Sequence, residues 1–242
     1  MAEELYPLAI VTGAAHRLGQ AFAVSLARLG YGILLHYHTS ADRAAATAKS
    51  LSSTGVPIYL FKADLTVPEE IDQLFSSVDR LPHRLKLLIN SAAVMPRAGA
   101  QDLSPAEWDA VFDLNLRAPY LLSQAAVRRM AEGGLIVNIT DAGASKAWIG
   151  YIPYVVSKSG LEALTRVLAK AHAPRVRVNA IAPGLVLPSE NTPPAEWDKL
   201  AKRLPLKRSA SLDQVCGALE FLINNEAITG QTLVVDDGYS LI

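Results

Sequence analysis

The chain has 242 residues, half of them apolar and 19% charged, with 23 basic side chains balanced by 23 acidic ones. That length and apolar share are enough to bury a large core in one domain, 1–242, and exclude a disordered chain. Zero net charge provides no field to hold a polyanion or an acidic membrane face, so nucleic acid and membrane are not expected partners.

The lone cysteine, Cys216, cannot close an internal disulfide and lies in the apolar stretch Val215-Cys216-Gly217-Ala218-Leu219, which reads as core. The first residues, Met1-Ala2-Glu3-Glu4-Leu5, are acidic where a secretory leader is basic. No apolar run reaches the ~18 residues that cross a bilayer. A cytoplasmic protein is expected.

Strand candidates fall at 8–12, 32–37, 57–61, 85–90, 134–139, 176–181 and 232–235, and helical periodicity at 18–29, 41–53, 68–80, 108–131, 154–171 and 212–224, with a short addition at 191–204. Apolar runs alternating with helical stretches predict an α/β fold. It is a single Rossmann-type, doubly wound sheet of about seven parallel strands with helices on both faces. The proline-rich stretch 183–194 reads as a mobile loop or lid.

The first strand runs into Thr12-Gly13-Ala14-Ala15-His16-Arg17-Leu18-Gly19 and then directly into a helix. A glycine turn there brings backbone N–H groups and a helix N-terminus up to a pyrophosphate; the plainer alternative is an ordinary strand-to-helix turn. The second strand ends in His36-Tyr37-His38-Thr39-Ser40, with no acid before Asp42. An acid there binds the ribose 2′-hydroxyl of NAD, so its absence, with Arg17 on the adjacent turn, favours NADP(H). Taken alone, either histidine reads as a solvated strand end. Asn90-Ser91-Ala92-Ala93 closes the fourth strand with small residues that leave room for a cofactor.

The helix from Tyr154 carries Tyr-Val-Val-Ser-Lys, so Tyr154 and Lys158 project from one face, one turn apart. Such a cation lowers a phenol pKa from ~10 toward the working range and makes Tyr154 a proton donor to a reduced carbonyl or imine; Lys158 can also bond the nicotinamide ribose. A surface helix pair is the alternative. Asp141 ends the fifth strand and can accept ring N–H groups or relay a proton through Tyr154, unless Thr140 is the working hydroxyl and Asp141 a loop acid. No metal site is expected.

These motifs, from Leu8 to the C-terminus, resemble the short-chain dehydrogenase/reductase family. Arg17 in place of the middle glycine, the His-Tyr-His-x-Ser run and Asp141 in place of the family's usual serine are most similar to its pteridine reductases. The resemblance implies that Arg17 faces both cofactor phosphates and substrate. Asp64, in Ala63-Asp64-Leu65, would contact adenine, although a turn acid or helix cap is the other reading. Asn90 would support the sheet and the adenine ribose, with the family's second asparagine and glycine missing here. Pro183-Gly184-Leu185 would lie beside the nicotinamide. Asn115 would bend its helix and hold a water on a proton path through Lys158 to Tyr154.

Met95 occupies the position of a ring-stacking phenylalanine in the best-known pteridine reductases. Trp148, which reads equally as a pocket wall or as a loop anchor or subunit contact, and Tyr151 would complete the substrate pocket. The expected function is NADPH-dependent reduction of a pteridine ring C=N. The alternatives are a carbonyl reductase of the same fold and a non-catalytic NADP-binding sensor. A homo-oligomer, by family analogy a tetramer, is expected.

Overall fold

The computed structural model describes residues 5–99, 101, 103–189 and 192–242. Residues 1–4 and the start of the 191–204 helix candidate lie outside the described residues. Seven strands form one sheet: β1 (Pro7–Val11), β2 (Gly32–Tyr37), β3 (Ile58–Lys62), β4 (Arg84–Asn90), β5 (Gly134–Ile139), β6 (Val176–Pro183) and β7 (Thr232–Val235). Their order is β3-β2-β1-β4-β5-β6-β7, and each adjacent pair is parallel. The order reverses between β1 and β4, so a crevice opens outside their carboxyl ends, where doubly wound sheets bind ligands.

Eight α-helices are described: α1 (Arg17–Arg28), α2 (Ala41–Leu51), α3 (Pro68–Val78), α4 (Pro105–Phe112), α5 (Ala118–Val127), α6 (Ile152–His172), α7 (Pro194–Arg203) and α8 (Leu212–Asn224). The central strands β1, β2, β4, β5 and β6 are buried on both faces, and alternate residues serve two cores. Leu8 and Ile10 of β1 pack with Leu74 and Phe75 of α3, Leu122 of α5 and Leu168 of α6. Ala9 and Val11 pack with Phe22 and Leu26 of α1, Ala44 of α2 and Val215 and Leu219 of α8. Phe22 and Phe75 are fully buried, and truncating either to alanine would cost about 3–5 kcal/mol.

One predicted element differs in kind. The continuous helix read over 108–131 is broken into α4 and α5 by a π turn at Asp113–Arg117. Asn115, fully buried at its centre, accepts the Val94 N–H at Oδ1 (2.9 Å) and donates from Nδ2 to the Val94 carbonyl (2.9 Å). Those bonds draw the helix wall toward the loop after β4, and a widened turn accommodates the pull. Other boundaries move by up to three residues; β6 runs on through Pro183, and α2 tightens into a short 3-10 turn at Ser52–Thr54.

Candidate active site

The crevice is a cleft of about 790 Å3 along the carboxyl ends of the strands. Its cofactor end is built on the glycine turn. Gly13 has φ +64, and a side chain there would press on the Ala92 backbone, 3.0 Å from its Cα. A Cβ on Gly19 would collide with the Gly13 carbonyl oxygen, so only glycine lets α1 approach the turn this closely. Thr12, which the sequence reading left unassigned, ties β1 to β4: its hydroxyl accepts the Ser91 and Ala92 amides at 2.9 and 3.0 Å.

Gly13, Arg17, Leu18, Gly19, His36 and Tyr37 line this end. So do His38, Ser40, Asp64, Leu65, Ser91 and Ala92. Arg17 has φ +56, and its guanidinium forks onto the Pro188 and Leu187 carbonyls at 2.9 and 3.1 Å. It therefore joins the phosphate-side turn to the loop after β6 while still facing an adjoining recess lined by Thr39, Ser40, Asp42 and Arg43. His36 is no solvated strand end; it is buried, with Nδ1 accepting the Gly13 N–H at 3.1 Å. His38 is exposed, 3.8 Å from Asp64. Asp64 takes the turn-acid geometry as well as a cleft position: its Oδ1 accepts both the amide and the hydroxyl of Thr66, which holds its pKa below the usual carboxylate range. Asn90 is not on the cleft surface; it lies behind it, donating to Asn138 Oδ1 (2.8 Å) on the neighbouring strand.

The other end gathers Asp141, Tyr154 and Lys158 with Met95, Trp148 and the turn Pro183, Gly184 and Leu185. The Tyr154 hydroxyl donates to Asp141 Oδ2 at 2.6 Å, while Asp141 Oδ1 accepts the Gly143 amide at 2.6 Å. Lys158 is buried and donates to the Ile139 carbonyl at 2.6 Å, with its Nζ 5.9 Å from the Tyr154 ring centroid.

This overturns the expected electrostatics of the pair. Burial, then the Asp141 carboxylate, raises the Tyr154 pKa, because the phenol's nearest partner is an anion and the ammonium is engaged elsewhere. Burial pushes the Asp141 pKa up, and pushes Lys158 down to about 8 against the opposing pull of Asp141. The phenol thus stays protonated at neutral pH and shares its proton along a short bond to a carboxyl group that is itself reluctant to ionise. Such a pair can hold a proton for a substrate atom that approaches the phenol oxygen.

Besides Asn90, two expected residues stand back from the cleft. Asn115 bonds Val94 and donates to Ser157 Oγ at 3.2 Å, with no bond to Lys158. Tyr151 packs edge-on against Trp148, with ring centroids 6.1 Å apart, and supports that wall from behind.

Three wall features were missed. Trp197 of α7 and Tyr239 beyond β7 line the same end, and the Trp148 and Tyr239 rings pack tilted with centroids 6.0 Å apart. Gly143 leaves the space that Trp148 fills, since a Cβ on it would run into the indole. The signal for Trp197 was a tryptophan on a short helix with no buried face; for Tyr239 it was an aromatic directly after Asp237-Gly238, two residues with positive φ that reverse the chain. Among the described residues, no cluster of His, Cys, Asp or Glu could hold a metal.

A doubly wound parallel sheet, a glycine turn at its switch point, and a phenol and an ammonium one helical turn apart define an oxidoreductase of the short-chain type. Residues 13–240 match the family model described as Enoyl-(Acyl carrier protein) reductase, and the chain belongs to the short-chain dehydrogenase/reductase family. It is 34% identical to carbonyl reductase family member 4 of Danio rerio, over 97% of this chain and 98% of that protein. Among solved structures, FolM alternative dihydrofolate reductase 1 from Brucella canis, complexed with NADP, superposes with a TM-score of 0.92. It is 32% identical, over 98% of this chain and 94% of that one. The angucycline C-6 ketoreductase LanV, also with bound NADP, gives a TM-score of 0.90 at 28% identity, over 98% and 96%.

Proposed function

We propose that this protein is an NADPH-dependent reductase of a pteridine ring, of the dihydropterin or dihydrofolate type. The cofactor fits the residues present. Neither Gly13 nor Gly19 has room for a side chain, the first-turn amides of α1 have no intrahelical acceptors, and no acid stands among Tyr37, His38, Thr39 and Ser40 to repel a 2′-phosphate. Gly13, Leu18 and Gly19 would hold the pyrophosphate, Arg17, His38 and Ser40 the 2′-phosphate, and Asp64, Leu65, Ser91 and Ala92 the adenosine. Pro183, Gly184, Leu185 and Lys158 would border the nicotinamide ribose. When bound, NADPH supplies a hydride to the ring carbon of the C=N bond.

The observation that carries the substrate reading is the Asp141 carboxyl group 2.6 Å from the Tyr154 hydroxyl. A carboxylate accepts ring N–H groups more strongly than a neutral serine hydroxyl, and it orients a nitrogen heterocycle over the cleft. Tyr154 gives its proton to the ring nitrogen as the carbon is reduced, and the Asp141 carboxyl group, which accepts the phenol's hydrogen bond, is placed to relay a proton from solvent back to it. Lys158 sets a cation against the Asp141 carboxylate, Asn115 holds the helix wall, and Trp148 with Met95 bounds the ring faces, with Arg17 at the junction of cofactor and substrate ends.

Carbonyl reduction on the same fold is the second reading. Met95, 44% exposed, offers a ketone a less demanding wall than a stacked aromatic ring would. The similarity to FolM supports the first reading and that to LanV the second. Loss of NADPH absorbance with dihydrobiopterin, dihydrofolate and a ketone panel tests them together. Asp141→Ser should abolish pterin turnover and leave or improve ketone turnover; the reverse result favours the carbonyl reductase. No turnover of any substrate by the unmodified protein favours a non-catalytic sensor.

The assembly we propose is a homo-oligomer, a tetramer by family analogy, working in the cytoplasm. Val156 and Val167 of α6, Tyr120 of α5 and Val234 of β7 carry apolar surface on the outside of one chain. No helix among the described residues is long and apolar enough to cross a membrane.

A further inference from the structure

His36 makes more of the dinucleotide cleft than any cleft-lining contact of its own would explain. Its imidazole is 2% exposed, so it presents almost no surface to a ligand. Yet it receives two consecutive amides of the glycine turn: Gly13 N–H donates to Nδ1 at 3.1 Å and Ala14 N–H to the His36 carbonyl at 2.9 Å. On its far side, Nε2 lies 3.0 Å from the Ala63 carbonyl, at the start of the Ala63-Asp64-Leu65 wall. Only the tautomer with the proton on Nε2 satisfies both contacts, because Nδ1 must accept while Nε2 donates. Gly13 sits at φ +64, where an added side chain would meet the Ala92 backbone, and a part-buried amide in that turn is best satisfied by an acceptor. The ring is the acceptor.

We propose that His36 is a positioning residue for dinucleotide recognition: one buried imidazole, bonded to the Gly13 amide and the Ala63 carbonyl, sets the spacing between the phosphate turn and the adenine-side wall. This rests on the NADP(H) reading above. It assigns the residue a role through Gly13 and Ala63 in place of contact with the cofactor. The environment agrees, since burial and the nearby His38 keep the imidazole neutral, with its pKa pushed down to about 4 against the upward pull of the Ala63 carbonyl, Asp64 and Glu70.

The test is NADP+ affinity, measured by quenching of the intrinsic tryptophan fluorescence, alongside the melting temperature of each variant. His36→Asn places an amide oxygen near the position of Nδ1 and keeps an acceptor for Gly13 but gives up the Ala63 bond; its affinity should fall only about threefold. His36→Gln reaches toward Ala63 and leaves the Gly13 amide without its acceptor, and should bind roughly tenfold more weakly at a similar melting temperature. His36→Phe, which removes both bonds, should be weaker still if it folds, and the Asn and Gln pair decides the matter if it does not. Equal affinities for the Asn and Gln variants, or affinities that follow melting temperature alone, overturn the inference. Failure of the unmodified protein to bind NADP+ would remove the dinucleotide reading and this inference with it, whereas normal binding by all His36 variants removes only the inference.

Discussion

At the scale of single residues, the chemistry turns on which neighbour reaches the Tyr154 oxygen. Asp141 does so at 2.6 Å, and Lys158 points to the Ile139 carbonyl. Tyr154→Phe keeps the ring and removes the proton, so turnover should drop roughly 10²–10⁴-fold while NADP+ affinity holds; a variant with ordinary turnover would show that another group supplies the proton. The buried ammonium predicts a pH limb with a definite sign. Lys158 is charged below about 8 and loses its proton above it, so turnover should fall as pH rises through that value. Asp141 pulls the Lys158 pKa upward, so Asp141→Asn should move the limb to lower pH; a pH profile that does not move would uncouple the two groups. The Tyr-x-x-x-Lys pairing was legible because a helix repeats every few residues. The direction of the tyrosine shift was not, because it depends on a carboxyl group brought in from the end of β5 and on burial that no local spacing reports.

At the scale of elements, glycine marks the places where two segments touch. Gly19→Ala would set a methyl group against the Gly13 carbonyl, a backbone atom with no freedom to move aside. Calorimetric titration should show NADP+ affinity down by about tenfold or more, with a lower melting temperature; unchanged binding would mean that α1 does not need this close approach. Gly143→Ala meets a side chain instead, and should displace the Trp148 indole, raise the substrate KM several-fold, on the order of a lost packing contact, and alter tryptophan emission, with NADP+ affinity held. The strands were readable because buried parallel strands are apolar runs cut off by glycine, proline and polar residues. The π turn in the expected 108–131 helix was not. It arises because Asn115 bonds the Val94 backbone across the fold, and nothing in the local apolar pattern records that partner.

For the molecule as a whole, the exposed apolar residues of α5, α6 and β7 predict association. Val167, 64% exposed, sits on α6 away from the cleft, and Val167→Asp should shift the sedimentation coefficient toward that of one chain. An unmodified protein that already sediments as one chain would dismiss the oligomer. The substrate end is likewise a property of the whole fold. Met95 follows β4, Trp148 lies before α6, Trp197 rides on α7 and Tyr239 follows β7, yet all four face one space.

The order of apolar runs and helical stretches, the glycine turn, the missing acid after β2 and the Tyr154, Lys158 and Asp141 set were all determined by the sequence alone. All but Asp141 depend on spacing along one strand or helix, or on a motif closed within a few residues; Asp141 was assigned by resemblance to the short-chain family. The tertiary structure decided the rest: the phenol paired with a carboxyl group, the buried imidazole between two walls, Arg17 held by the Leu187 and Pro188 carbonyls, and Trp197 and Tyr239 as pocket walls. Those depend on burial and on contacts between segments far apart in the chain. The free energy of a charge or a hydrogen bond is set there by neighbours that only folding brings together.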